Sequence, residues 1–188
     1  LKARLCIEGR DRLYSFCTDH HIAYRRCGKL IVATGPEEID QLESLSHQAN
    51  QNGVDHLYYF DEKSVAKAEP NIASVGALYC PITGIVDSHG LVHTLWRIGR
   101  SRGIEYVFGT QVDELDHVES KYQISTRTRD GDQFLTSAPI VINAGGLYAD
   151  RIAQMVGIYD EMYRIHYCKG EYFRISDKFS IILFAIVG

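Results

Sequence analysis

The stretch from Pro139 to Asp150 constrains the fold more tightly than any other part of the chain. Ile140, Val141 and Ile142 form a β-branched apolar run without alternation, the pattern of a strand buried on both faces of a parallel sheet. Gly145 and Gly146 follow closely, and Ala149, Ile152, Ala153 and Val156 then fall on one helical face before Gly157 stops it. Strand, glycine turn and helix in so short a span place free backbone N–H groups at the carboxyl edge of a sheet. Open α/β sheets bind nucleotides and their phosphates at that edge. An ordinary β-turn-α unit, with glycines serving only the turn, has the same local pattern, and both readings stay open at this point.

Upstream, Cys6, Leu13, Phe16 and Cys17 give the apolar face of an opening helix that runs to about Asp19, and Cys27 to Ala33 reads as a strand. Thr34-Gly35-Pro36-Glu37-Glu38 is a helix start, with Thr34 placed to cap, proline in the first turn and two acids at the positive dipole end. Ile39, Leu42, Leu45 and Ala49 should carry that helix's buried face, and Gly53 its end. Tyr58 to Phe60 predicts a short strand, and Glu62 to Ala68 a short helix stopped by Glu69-Pro70. Gly76 to Cys80 and Gly84 to Val86 read as extended pieces. Asp87 or Ser88 then caps a helix buried through Leu91, Leu95 and Ile98 and ended by Gly103. Strands are expected at Glu105 to Phe108, Val112 to Val118 and Lys121 to Arg129, with Asp130-Gly131 turning into Gln133 to Thr136. Two further strands, Met162 to Cys168 and Glu171 to Ile175, flank Lys169-Gly170. This order of elements predicts a mixed α+β (α/β) fold in which a parallel-type unit is interleaved with an antiparallel layer.

Composition narrows the function. A net charge of -4 over 188 residues, with no basic block, argues against a nucleic-acid groove. No apolar stretch is long enough to cross a bilayer. The five cysteines are odd in number and contain no Cys-x-x-Cys pair, which suits reduced intracellular thiols. The opening residues are charged throughout, unlike a signal peptide, and read as mid-helix. The segment Phe179 to Gly188 is apolar and would be sticky if exposed.

Candidate chemistry is sparse. His89 and His93 have the i, i+4 spacing of a zinc pair, but no glutamate of the hydrolase pattern and no third ligand accompany them, so no metal site is expected. No Gly-x-Ser-x-Gly elbow or catalytic cysteine signature is present. Lys169-Gly170-Glu171-Tyr172 is more suggestive. The glycine permits close backbone approach, and Lys169 and Tyr172 could hold an anionic substrate, although a simple strand bend with a solvated lysine fits slightly better from these residues alone.

Several stretches occur together in a familiar order. They are Cys27-Gly28-Lys29-Leu30-Ile31-Val32-Ala33, Gln51-Asn52-Gly53-Val54, Glu69-Pro70, Thr83-Gly84-Ile85-Val86-Asp87-Ser88, Asn143-Ala144-Gly145-Gly146-Leu147-Tyr148-Ala149-Asp150-Arg151 and Lys169-Gly170-Glu171-Tyr172. The set resembles the FAD-dependent oxidoreductases of the D-amino-acid-oxidase-like superfamily, and within it the L-2-hydroxyglutarate dehydrogenase/oxidase branch. The resemblance implies part of an FAD-binding Rossmann-type domain interleaved with a mixed, largely antiparallel substrate domain. Residues of approximately 20–86 and 160–178 would belong to the substrate domain, and approximately 87–158 to the FAD domain. It implies FAD as cofactor, with Gln111 and Val112 on the adenine side through backbone groups. Asn143, Ala144, Gly145 and Gly146 would lie along the phosphate and ribitol region, and Lys169 and Tyr172 near the substrate. The implied reaction takes a hydride from the α-carbon of a 2-hydroxy acid to give a 2-oxo acid, with the flavin doing the chemistry. The catalytic base and the electron acceptor are not indicated. The expected location is intracellular, cytoplasmic or, in a eukaryote, mitochondrial.

One departure is informative: the chain contains no Gly-x-Gly-x-x-Gly turn of the kind that grips a pyrophosphate. The resemblance therefore implies a central portion of such an enzyme, one that binds FAD weakly or not at all and is inactive by itself. Two alternatives remain at this stage. One is an amino-acid or amine oxidase, or a relative of glycerol-3-phosphate dehydrogenase. The other is a non-catalytic interaction module that kept the substrate layer and lost the flavin.

Overall fold

The computed structural model describes residues 2–54 and 56–170 and the backbone of residues 184–186. They form two compact units that divide after Ile104. In chain order the first unit holds α1 (Lys2–Asp19), β1 (Tyr24–Arg25), β2 (Lys29–Ala33), α2 (Ile39–Gln51), β3 (Tyr58–Asp61), α3 (Glu62–Ala68), β4 (Gly76–Cys80), β5 (Ile85–Val86) and α4 (Ser88–Ser101). The second holds β6 (Thr110–Val118), β7 (Lys121–Thr128), β8 (Gln133–Ala138) and α5 (Ala149–Met155). A last strand, β9 (Phe184–Ile186), belongs to the first unit.

The unbroken apolar run Leu30–Ala33 is explained by burial on both faces. β2 lies inside a four-stranded sheet of order β3-β4-β2-β9, antiparallel to β4 and parallel to β9. On one face Leu30, Val32 and Ala77 pack with Val65 of α3, and on the other Ala33 and Leu78 pack with Leu42 of α2. Leu30, Leu42 and Val65 are fully buried, each stabilising the fold by roughly 1.5–3 kcal/mol. Gly28 enters this sheet at φ +73, and a Cβ there would lie 2.6 Å from the Tyr79 ring, so only glycine fits. Part of the apolar C-terminal stretch is accounted for as well, since β9 pairs with β2 through Leu30, Ile31 and Val32.

Caps mark the helix boundaries. Asp61 accepts from the Ser64 N–H at 2.9 Å to start α3, and Asp87 accepts from the Gly90 N–H at 3.0 Å to start α4. The start of α2 differs from expectation. Thr34 does not cap it; instead the Glu38 carboxylate reaches back to the Thr34 N–H, the Thr34 hydroxyl and the Gly35 N–H. Those donors, the Thr34 amide foremost, hold the Glu38 carboxyl below its ordinary range.

In the second unit β6, β7 and β8 form the expected antiparallel meander, with a bulge at Asp113, and α5 packs beside β6. Several expected features differ. Glu105 to Phe108 and Ile140 to Ile142 are not strands, and Val107, Phe108, Ile140 and Ile142 are 75%, 74%, 76% and 86% exposed. Their β-branched and aromatic residues supply strand propensity, but no described segment pairs with them, and pairing defines a strand. Met162 to Cys168 is not a strand either; a 3-10 turn (Glu161–Tyr163) starts it and the rest is unpaired. The expected strand Glu171 to Ile175 lies outside the described residues. Leu45 and Leu95, expected inside, are exposed; α2 buries only Leu42 fully, and α4 turns Thr94 and Gly99 inward. No described helix is long and apolar enough to cross a membrane.

Replacing Leu42 with alanine should therefore cost about 2–5 kcal/mol in a urea melt, whereas Leu45→Ala should stay within about 1 kcal/mol. Equal losses would contradict the two-faced burial of this sheet.

Candidate functional site

The segment after β8 carries the glycine pair, and one side chain organises it. Asn143 donates its Nδ2–H to the Ala149 carbonyl at 2.7 Å, while its Oδ1 accepts the Gly145 N–H at 3.1 Å. The Tyr148 N–H closes a turn onto the Gly145 carbonyl at 3.0 Å. Gly145 is packed inward, since a Cβ there would meet the end of Ile152 at 2.5 Å. Gly146 faces the other way. It sits at φ +58, a left-handed value that glycine adopts without strain, and an added Cβ would find nothing within 4 Å. With the Gly145 amide held by Asn143, the N–H groups of Ala144 and Gly146 have no acceptor among the described residues and lie on an exposed turn.

The feature expected at this point was a helix N-terminus at a sheet edge, and that part is not found. α5 is 7 residues long and preceded by a 3-10 turn (Gly146–Tyr148), and no strand leads into the loop. The donors are two backbone amides of a braced loop, not the end of a long helix dipole.

Gln111 and Val112 stand on β6, an outer strand of the meander. On such a strand alternate residues turn their N–H and C=O groups away from the partner, which leaves backbone groups for an outside ligand. The Gln111 side chain is committed elsewhere, donating to Asp113 Oδ1 at 3.1 Å. Asp113 also accepts a two-pronged contact from Arg127, at 2.8 and 3.0 Å. The Arg127 hydrogen bonds hold the Asp113 carboxyl below its usual range and raise the guanidinium in turn. Gln111, Thr110, Arg127 and Arg129 line a polar hollow of about 450 Å³. A second hollow, of about 530 Å³ and apolar, lies between α1 and Ile82–Val86 and contains none of the predicted residues.

Lys169 and Gly170 are exposed in the second unit, and Tyr172 lies outside the described residues. Two contacts draw the approach to Lys169 onto the glycine loop. The Tyr167 hydroxyl donates to the Leu147 carbonyl at 3.2 Å, and the Ile165 N–H donates to Asp150 Oδ2 at 3.3 Å. Sequence reasoning assigned no role to Tyr167 and gave none to Asp150 beyond its motif; the contacts span 20 and 15 residues and leave no local periodicity. His89 and His93 are exposed on α4, and the His93 ring lies 5.5 Å from Trp96.

Against known proteins, a family model described as FAD dependent oxidoreductase matches residues 1–185. The chain belongs to that family. Among curated relatives, it is 31% identical over 183 residues to L-2-hydroxyglutarate dehydrogenase of Escherichia coli K12, covering 97% of this chain and 42% of the relative. The mitochondrial L-2-hydroxyglutarate dehydrogenase of Homo sapiens is 33% identical over 171 residues, covering 84% of this chain and 35% of the relative. The chain thus spans less than half the length of these relatives. Among solved structures, L-proline dehydrogenase from P. horikoshii superposes with a TM-score of 0.70 at 17% identity, covering 83% of this chain and 41% of that one. Glycine oxidase from Geobacillus kaustophilus gives 0.64 at 25% identity, covering 84% and 41%. The mixed α/β fold is that of this oxidoreductase family.

The loop fits the family's cofactor on its own geometry. A glycine with open space beside it and two backbone donors without an acceptor among the described residues suit an extended, oxygen-rich chain passing over the turn, and β6 is an edge strand among the described residues of the same unit.

Asn143→Ala should free the Gly145 amide and speed its hydrogen exchange by roughly tenfold, as expected for losing one to two hydrogen bonds in an exposed loop. Unchanged exchange at Gly145 would show that the loop holds its shape without the Asn143 brace.

Proposed function

We propose that the gene product carrying this sequence is an FAD-dependent dehydrogenase of a 2-hydroxy acid of the L-2-hydroxyglutarate type. The observation that carries this reading is the 31% identity to L-2-hydroxyglutarate dehydrogenase over 97% of the chain. When bound, FAD supplies the two-electron acceptor that converts the 2-hydroxy acid to its 2-oxo acid. In this reading the Ala144 and Gly146 amides receive the cofactor's phosphate and ribitol oxygens, and the backbone groups that β6 turns outward along Gln111–Val112 receive the adenine. Asn143 fixes the turn that aims those amides. Lys169 contributes a positive charge toward a substrate carboxylate, with Tyr172 beside it in sequence. The 188 residues contain no Gly-x-Gly-x-x-Gly turn, so by themselves they should hold FAD weakly.

A second reading has one specific support, the 25% identity to glycine oxidase over 84% of the chain, which favours an amine substrate. A dye-coupled assay of the gene product with L-2-hydroxyglutarate, glycine, sarcosine and glycerol 3-phosphate separates the two. Turnover of L-2-hydroxyglutarate should exceed the others by about a hundredfold or more in kcat/KM, the discrimination open to a site built to pair a substrate's polar groups. Preference for glycine or sarcosine would overturn the hydroxy-acid reading.

A further inference from the structure

The segment leading to Lys169 is tied to the glycine loop at two points. Asp150, at the second position of α5, spends both carboxylate oxygens. Oδ1 accepts the Arg151 N–H at 2.8 Å, and Oδ2 accepts the Ile165 N–H at 3.3 Å. Two residues further on, the Tyr167 hydroxyl reaches the Leu147 carbonyl at 3.2 Å, inside the turn that follows Gly146. Residues 165–168 pair with no strand among the described residues, so these contacts fasten a stretch that has no sheet neighbour there. Side-chain hydrogen bonds suit this task because each fixes one point of backbone without requiring a sheet neighbour.

We propose that Asp150 and Tyr167 are positioning residues: by fastening residues 165–167 to the Leu147–Asp150 end of the glycine loop, they help set where the chain carrying Lys169 runs relative to the cofactor loop. The inference rests on the hydroxy-acid reading given above. It assigns neither residue to substrate or cofactor contact. Their loss should therefore weaken substrate binding while leaving the bound cofactor in place.

The experiment pairs two conservative variants with a control. Tyr167→Phe removes only the hydroxyl. Asp150→Asn leaves one acceptor oxygen for two amide donors, so one of the bonds must break. Tyr163→Phe, on the same segment and half-exposed with no hydroxyl contact among the described residues, is the control. In the FAD-loaded gene product, KM for L-2-hydroxyglutarate should rise about fivefold in each variant, the equivalent of one hydrogen bond, with kcat and FAD affinity within about twofold of wild type. The double variant should rise by less than the product of the two, because both ties hold one segment. Independently of turnover, the Ile165 amide should exchange faster in Asp150→Asn than in Tyr163→Phe. A wild type that turns over L-2-hydroxyglutarate, with unchanged KM and unchanged Ile165 exchange in the variants, would overturn this inference alone. A wild type that binds FAD yet does not turn over any 2-hydroxy acid would overturn the functional reading, and the positioning role with it.

Discussion

Asn143 uses both ends of its amide within one loop, its nitrogen on Ala149 and its oxygen on Gly145. The rest of the candidate site follows from that bridge. Because the Gly145 amide is consumed internally, the loop's donors without an acceptor among the described residues are those of Ala144 and Gly146, on the open side of the turn. Because Ala149 is pinned, α5 starts at a fixed place. Asp150 and Leu147 are then positioned to receive Ile165 and Tyr167. A side-chain bridge of this kind costs little entropy, since the asparagine spans only six residues. No long helix dipole of the kind that nucleotide-binding turns often use starts here, since α5 has 7 residues.

The legible parts of the sequence were those whose cause is local. The cap at Asp87, the meander around Asp130-Gly131 and the strand within Cys27 to Ala33 each have a signal within a few residues. The same reasoning failed where structure depends on a partner. Ile140 to Ile142 has the composition of a buried strand, yet lies exposed, because composition cannot supply the neighbour that a strand pairs with. Leu45 and Leu95 follow helical periodicity correctly, and the helices still turn other residues inward. At the site, the glycine pair and Asn143 were visible as a motif. The direction of each glycine was not, nor were the ties from Tyr167 and Asp150, which join residues far apart in sequence.

The family and the substrate rest on different supports. The fold is shared with proline dehydrogenase and glycine oxidase, enzymes whose names point to different substrates, so the fold alone does not select one. Selection must come from side chains near the reacting carbon. In the proposed function Lys169 would favour a dicarboxylate over an amine, since a fixed cation attracts a carboxylate and repels an ammonium.

The most direct test of the account is a flavin absorbance titration of the gene product carrying this sequence, comparing wild type with Gly146→Val and Gly103→Val. Both glycines have positive φ, +58 and +80, and open space beside them, so both substitutions impose similar backbone strain. Only Gly146 lies on the proposed cofactor loop. Saturable FAD binding should weaken by about tenfold or more in Gly146→Val, the effect of about 1–2 kcal/mol of left-handed strain placed under the ligand, and be unchanged in Gly103→Val. Equal FAD affinity in all three proteins would contradict the assignment of this loop to the cofactor.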